Sequence, residues 1–232
     1  MKKFMLVFVL FLAFHALKAS DCTVFFPQDI GTVLVYNNYD DDGDLESIIH
    51  YKVVDKKTEA EGLKITVETK SFKDDDDDEP MVTNLDFYCK DGVFYWNMQS
   101  SLNAESMKSF KESGAEMKID ANDLAFPSDI HVGQKLPDGN ISMKMKTMFM
   151  TMEMNVKIYN RSVDAKESIK VKAGTFDCYK ISQESQSKVM ISEIKIKTIS
   201  WFAENIGIVK TQTYDDDGDL KSTMELVEIR KK

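Results

Sequence analysis

Residues 63–68 read LKITVE and residues 85–90 read LDFYCK, and these two stretches indicate the fold most clearly. In both, an apolar side chain occupies every second position, with mostly charged or polar side chains between. Residues 193–198, EIKIKT, repeat this alternation. Successive side chains of a β-strand point to opposite faces of the sheet, so a period of two is typical of strands with one buried face.

Asp-Gly pairs lie between several of these runs and predict tight turns. They occur at Asp42–Gly43, Asp91–Gly92, Asp138–Gly139 and Asp217–Gly218. Asp-Gly is common in β-hairpin turns because the glycine adopts a positive φ. Residues 103–111 alone resemble a helix, with a capping asparagine at the start. We therefore predict an all-β domain with one short helix.

The heptapeptide YDDDGDL occurs twice, at residues 39–45 and 214–220. Each copy lies between two strand-like runs, which predicts the same hairpin near both ends of the chain. Its carboxylates, and those of residues 74–79, are hard oxygen ligands that suit calcium. Neither copy has the glycine and glutamate positions of a complete calcium loop. Solvated hairpin tips are therefore the favoured interpretation, and weak calcium binding is the alternative.

The start of the chain predicts export. Two lysines precede an apolar run from Phe4 to Phe14, and small residues follow at Ala19 and Ser20. This is the pattern of a secretory signal peptide, and the run is too short to span a bilayer, which takes roughly twenty apolar residues. We predict a signal peptide at 1–19, cleaved after Ala19, and a single domain at 20–232. The mature sequence contains no stretch apolar enough for a transmembrane segment.

Charge narrows the class of partner. The formal net charge is −9 at pH 7, and the predicted signal peptide contains three lysines and no acid, so the mature chain is more acidic still. An acidic surface disfavours nucleic acid and anionic lipid head groups as partners.

Three cysteines follow the signal peptide, namely Cys22, Cys89 and Cys178. An exported chain can keep a disulfide, and an odd count leaves one thiol over. We predict a Cys22–Cys89 disulfide, worth about 4 kcal/mol in the chain-entropy model, with Cys178 as a small buried side chain. Three reduced thiols are one alternative. Lipidation of Cys22 is another, although the acidic residue before it is unusual for a lipidation site.

Methionine is concentrated in residues 143–154, where four follow one another at spacing two. The spacing slips after Met145, which predicts a bulge or tight turn near residues 146–147. A packed strand face is one interpretation, because methionine is an adaptable core residue. A deformable cavity wall for an acyl chain is the second, and a Cu(I) site without a nearby histidine or free cysteine is the third. The candidate cavity residues are Met148, Met150, Met152, Met154 and Trp201.

The sequence carries no catalytic signature. The mature chain has two histidines, His50 and His131, which are far apart in sequence. It lacks G-x-S-x-G, H-E-x-x-H and C-x-x-C motifs and a phosphate-binding glycine loop. We predict a protein that is not an enzyme and has no catalytic residue, cofactor or metal.

Motifs along nearly the whole mature chain resemble those of the TapB-like family, exported bacterial β-proteins built on a domain of unknown function. In order they are Cys22, Pro27, Gly31–Thr32, Tyr36, Tyr39, Cys89–Gly92, Pro127, Val132–Leu136, Asp138–Gly139, Asn160–Arg161, Ala173–Phe176, Trp201–Ala203 and Gly207–Lys210. The resemblance implies a curved antiparallel sheet that forms a partly open barrel, similar in shape to the lipoprotein-carrier folds of the periplasm. It implies no catalytic residue.

Two functions stay open. The favoured one is a protein-interaction module of the cell envelope, which docks to another envelope protein through exposed edges or acidic turns. The alternative is a carrier or binder of an apolar ligand, such as a lipid or a lipidated chain, in a Met-lined half-barrel. Either would work in the periplasm or at the periplasmic face of the outer membrane.

Overall fold

The computed structural model describes residues 22–59, 62–73, 79–102, 107–109, 116–148 and 150–231. The strands are β1 Val33–Tyr39, β2 Leu45–Glu59, β3 Gly62–Lys73, β4 Met81–Lys90, β5 Val93–Trp96, β6 Glu116–Asn122, β7 Leu124–Pro127, β8 Gly139–Lys146, β9 Thr151–Val171, β10 Gly174–Val189, β11 Ser192–Ala203, β12 Gly207–Tyr214 and β13 Leu220–Arg230. A 3₁₀ turn, Met98–Ser101, follows β5. The fold is all-β, as predicted.

Some predicted features fall outside the described residues. These are the signal peptide, the acidic run 74–78, and the predicted helix apart from residues 107–109, which are helical.

All thirteen strands form one antiparallel sheet, which closes almost completely into a barrel. From edge to edge the order is β6-β8-β9-β10-β11-β12-β13-β1-β2-β3-β4-β5-β7. The two edge strands, β6 and β7, are joined by the single residue Asp123. Its carboxylate accepts hydrogen bonds from the Tyr88 hydroxyl at 2.6 Å and the Met98 backbone N–H at 3.0 Å. The chain is therefore fixed where it passes from one edge of the sheet to the other.

A buried arginine bridges the seam of the barrel. Arg161 of β9 is 1% exposed, and its Nη1 donates to the carbonyl oxygens of Ala125 in β7, at 3.1 Å, and of Pro137, at 2.6 Å. Its guanidinium carbon lies 4.9 Å from the centre of the Phe126 ring. Burial lowers the pKa of Arg161 to about 10, so the side chain stays protonated at neutral pH. The contact joins strands from the two sides of the opening.

Three of the four Asp-Gly pairs form hairpin turns, as predicted, between β1 and β2, β4 and β5, and β12 and β13. The prediction is wrong for Asp138–Gly139, because Gly139 is the first residue of β8. This strand pairs with β6 and β9 rather than with the preceding β7. Gly139 is needed for space, because a Cβ there would lie 2.5 Å from Leu124 Cδ2. Glycine in this pair permits close packing instead of a turn.

Candidate functional site

The interior of the barrel is filled by residues Cys22–Gln28, which we call the strap. Its two central side chains, Phe25 and Phe26, are 2% and 4% exposed. The Phe25 ring lies 5.7–6.3 Å, centre to centre, from the rings of Phe94, Phe126, Tyr179 and Phe202. The Phe26 ring stacks on Phe87 at 4.8 Å. The strap thus supplies much of the aromatic core although it belongs to no strand.

Little space remains around these rings. The remaining cavity has a volume of about 20 Å³, which is room for about one water molecule. Its walls are aromatic and aliphatic side chains, among them Tyr36, Tyr51, Leu85 and Trp96. Burial raises the pKa of Tyr51 to about 12. We call the interior of the barrel, which contains the strap rings and this small cavity, the lumen. It is apolar, and the chain itself occupies it.

A disulfide fixes the start of the strap to the barrel wall. Cys22 is bonded to Cys89 of β4, with the two Cα atoms 6.2 Å apart, so the predicted pairing is present. A Cys22 sulfur in this bond cannot also carry a lipid. The third cysteine, Cys178, is free and buried, and burial raises the pKa of its thiol to about 11.

One glycine of β12 makes room for the strap. Gly207 has φ of 101°, and a Cβ at this position would lie 3.1 Å from the Phe25 carbonyl oxygen. Nearby, the backbone N–H of Asn205 donates to the Val24 carbonyl oxygen at 2.7 Å. The close approach of the strap backbone to Gly207, together with its positive φ, explains why β12 begins with a glycine.

The five candidate cavity residues do not form one site. Met148 is 91% exposed and Met150 is 48% exposed, at the turn between β8 and β9 that the slip in methionine spacing predicted. Met152 and Met154 are half-buried in β9. Trp201 belongs to the core, and its Nε1 donates to a Glu167 carboxylate oxygen at 2.7 Å. The prediction of a shared cavity is thus not supported for the two exposed methionines.

The remaining methionines pack on one another across neighbouring strands. Met145 of β8 is paired with Met152 of β9 and with Met117 of β6, and Met143 is paired with Met154. Directly paired residues of antiparallel strands share a face. Since Met145 is 3% exposed, this is the face that turns to the core. These methionines therefore form a packed strand face, which is the first interpretation of the stripe.

A second feature lies at the turns between β8 and β9 and between β10 and β11, where six large apolar side chains of the described residues are exposed. We call this group the apolar tip; its members are Met148, Met150, Val189, Met190, Ile191 and Ile194. They come from the β8–β9 turn and from the β10–β11 hairpin. The two turns adjoin, because Met154 is paired with Val189 and the Met190 N–H donates to the Glu153 carbonyl oxygen at 3.1 Å. Exposure reaches 100% at Ile191.

Polar contacts lie on the strands that lead to the apolar tip. Lys144 and Glu153 form an ion pair across β8 and β9, and this pairing lowers the pKa of Glu153. Gln186 Nε2 donates to the Glu193 carboxylate at 2.7 Å. A cleft of about 400 Å³ is lined by Glu153, Gln186 and Glu193 together with Met190. The end of the barrel therefore has an apolar centre and a polar rim.

The two YDDDGDL turns lie side by side and repeat one local structure. In each, the first aspartate, Asp40 or Asp215, accepts hydrogen bonds from the backbone N–H groups two and four residues later. Lys221 Nζ lies 3.2 Å from the Asp215 carboxylate and 4.0 Å from that of Asp41. Within the described residues no group of three or more candidate ligands could hold a metal. These turns are therefore hairpin tips with internal hydrogen bonds.

The two histidines lie in different parts of the fold, one in a strand and one in a connection. His50 lies in β2 beside the Phe72 ring, and burial lowers its pKa. His131 is exposed in the connection before β8, where its Nδ1 lies 2.9 Å from the Asp129 carbonyl oxygen. Neither is arranged with a nucleophile or a second acid–base group in the described hydrogen bonds.

Sequence reasoning missed the strap, the role of Arg161 and four of the six members of the apolar tip. The signal for the strap was present, because Phe25 and Phe26 follow Cys22 closely. Arg161 was noted only as part of a motif. The tip residues Met190 and Ile191 follow a strand and carry no turn-forming residue, so nothing in the sequence marked them as exposed.

Comparison with protein-family models matches residues 29–226 to the DUF3108-like family. The match covers most of the chain, so the protein belongs to this family. No curated protein matches the sequence. No helix in the described part of the chain is long and apolar enough to cross a membrane.

Two solved structures share the fold. One is a protein of Bacteroides fragilis NCTC 9343 described as exported and as having a YmcC-like fold; it is 23% identical, covers 90% of this chain and 100% of its own, and superposes with a TM-score of 0.70. The other, from Parabacteroides distasonis ATCC 8503, is described as a lipoprotein; it is 26% identical, with the same coverage of 90% and 100% and a TM-score of 0.71.

Proposed function

We propose that this protein is an exported, non-enzymatic protein of the cell envelope, and that it binds another protein through the apolar tip. The observation that carries the proposal is the exposure of six large apolar side chains on two adjoining turns. Soluble proteins rarely leave contiguous apolar patches uncovered, and those that occur commonly mark interaction sites.

The composition of the tip fits a protein partner. An apolar centre with a polar rim is the usual anatomy of a protein–protein interface, and methionine is enriched there. The net charge of −9 disfavours an anionic lipid surface. The occupied lumen, with about 20 Å³ left, argues against a ligand carried inside the oxidised barrel.

The finer assignments belong to the same proposal. They are a signal peptide at 1–19, a single domain at 20–232, a place in the periplasm or at the periplasmic face of the outer membrane, and membership of the TapB-like family. Their support is the sequence pattern, the motif order, and the descriptions of the two structural relatives as exported and as a lipoprotein. The disulfide also suits an oxidising compartment.

The test is site-specific photo-crosslinking in cells that make the protein. A photo-reactive amino acid replaces Ile191 in one variant and Val132 in another; Val132 is 52% exposed and lies in the connection to the opposite end of β8. We expect a discrete protein adduct from position 191 that is lost when Met190→Glu and Ile194→Glu are added. Equal adducts from both positions, or none from position 191, would contradict docking through the tip.

A further inference from the structure

The lumen has the properties of a ligand site whose present occupant is part of the chain. We infer that the aromatic lumen binds an uncharged apolar molecule carrying a carbonyl group, that the strap occupies this site as an internal ligand, and that reduction of the Cys22–Cys89 disulfide frees the strap to be displaced by that molecule. The inference does not depend on the apolar tip, which lies at the β8–β9 and β10–β11 turns.

The strap is attached to the barrel mainly at its two ends. At one end is the disulfide to β4. Beyond the other end, the Gly31 N–H donates to the Val53 carbonyl oxygen at 2.8 Å, which fixes the chain just before β1. Between these points, one backbone hydrogen bond joins the strap to the described barrel, from Asn205 N–H to the Val24 carbonyl oxygen. Two side-chain hydrogen bonds, from Thr23 and Gln28, are exposed and long, at 3.3 and 3.4 Å.

The wall of the barrel is complete without the strap. Every strand that lines the lumen is paired along the sheet order with its neighbours, and no strap residue takes part in those pairings. Opening the disulfide would therefore leave a tethered arm whose rings are held in the lumen by apolar contact. Its other attachments are the backbone hydrogen bond to Val24 and the two long side-chain hydrogen bonds. An apolar ligand can replace the apolar contacts, because they are not directional.

One polar atom of the wall points to the chemistry of the ligand. The indole Nε1 of Trp96 is buried and has no hydrogen-bond partner, and Trp96 lines the lumen. A buried N–H donor without an acceptor is unfavourable and uncommon. A ligand carbonyl would satisfy it. The described residues that line the lumen carry no charge, so the ligand we infer is uncharged, such as an acyl ester.

Release of the strap is a thiol–disulfide exchange. A thiolate of an external dithiol attacks the sulfur of Cys22, the less buried of the two residues, and displaces Cys89 as a thiolate that takes up a proton. The second thiol of the dithiol then closes its own disulfide and releases Cys22 as a thiol. Two electrons pass from the dithiol to the protein disulfide. The exchange does not require that the seated strap be strained.

The test uses an uncharged fluorescent ketone, 6-propionyl-2-(dimethylamino)naphthalene, as the probe. The oxidised protein should show no saturable binding, and the protein reduced with a dithiol should bind one probe with a blue-shifted emission. Cys22→Ser should bind without reductant, and the matched control Cys178→Ser, which keeps the disulfide, should not. Trp96→Phe in the Cys22→Ser background should weaken binding about five-fold, the effect of one hydrogen bond.

A second measurement follows the strap itself. Chymotrypsin should cut between Phe25 and Phe26 in the reduced protein and not in the oxidised protein, as read by mass spectrometry. Binding that disappears with Ile191→Asp would show that the probe sits on the apolar tip and would overturn the inference. So would absence of binding and cutting in reduced protein that keeps its β-sheet circular dichroism. Loss of the whole fold on reduction would also overturn it, because the strap would then be an inseparable part of the core.

Discussion

Replacing Phe25 with alanine tests whether the strap is seated in the barrel. Phe25 is 2% exposed and lies within 6.3 Å of four aromatic rings, measured between ring centres. Truncating a buried phenylalanine costs about 3–5 kcal/mol, which includes the lost transfer free energy and the cavity left behind. Because the neighbouring side chains have little free space in which to rearrange and fill the cavity, we expect a loss of stability in the upper half of that range.

Urea unfolding of the oxidised protein, followed by tryptophan fluorescence, measures this loss. At a slope of about 2.5 kcal/mol per molar, the midpoint for Phe25→Ala should fall by about 1.6–2 M with the slope unchanged. Ile30→Ala is the matched control, since Ile30 follows the strap and is 53% exposed, and its stability should change by about 0.5 kcal/mol or less. A loss below about 1 kcal/mol for Phe25→Ala would refute the seating of the strap.

Three further predictions concern the disulfide, the free thiol and Tyr51. Reducing the disulfide should lower the free energy of unfolding by about 4 kcal/mol, as measured by urea unfolding with and without reductant, and an unchanged midpoint would contradict its role as an anchor. Cys178 should resist iodoacetamide until the protein unfolds, because burial raises its pKa to about 11; labelling of the native protein, read by mass, would argue against that burial. Burial raises the pKa of Tyr51 from 10.0 to about 12, so its contribution to stability is present below pH 10 and is lost as pH rises through that interval. Stability measured between pH 10 and 12 should therefore fall less steeply for Tyr51→Phe than for the native protein, and parallel curves would be the contrary result.

The strands and most turns could be predicted because they follow from local rules. Alternation in residues 63–68 sets which face of β3 is buried, and the buried residues Ile65 and Val67 are the ones that the pattern selects. The glycine in three Asp-Gly pairs takes a positive φ in a hairpin turn. Gly139 broke the rule because its role depends on Leu124, a neighbour fifteen residues away whose position only the closed barrel determines.

The candidate site was harder to predict because its parts are distant in sequence. The strap and β4 are joined by a bond between residues separated by 67 positions, and the cysteine count supported that pairing without indicating what lies inside the loop. The methionine stripe divides between core and surface at one turn. Spacing located that turn, but the exposure of Met148 depends on how far β8 and β9 extend beyond the core.

The most direct test of the central claim, that the oxidised barrel is filled by its own N-terminal segment, is native mass spectrometry of the protein purified gently from cells that make it. We expect the bare mass of the protein with one disulfide. A lipid-sized adduct that organic solvent releases from the oxidised protein would contradict the claim, because the lumen would then hold a ligand in place of Phe25 and Phe26.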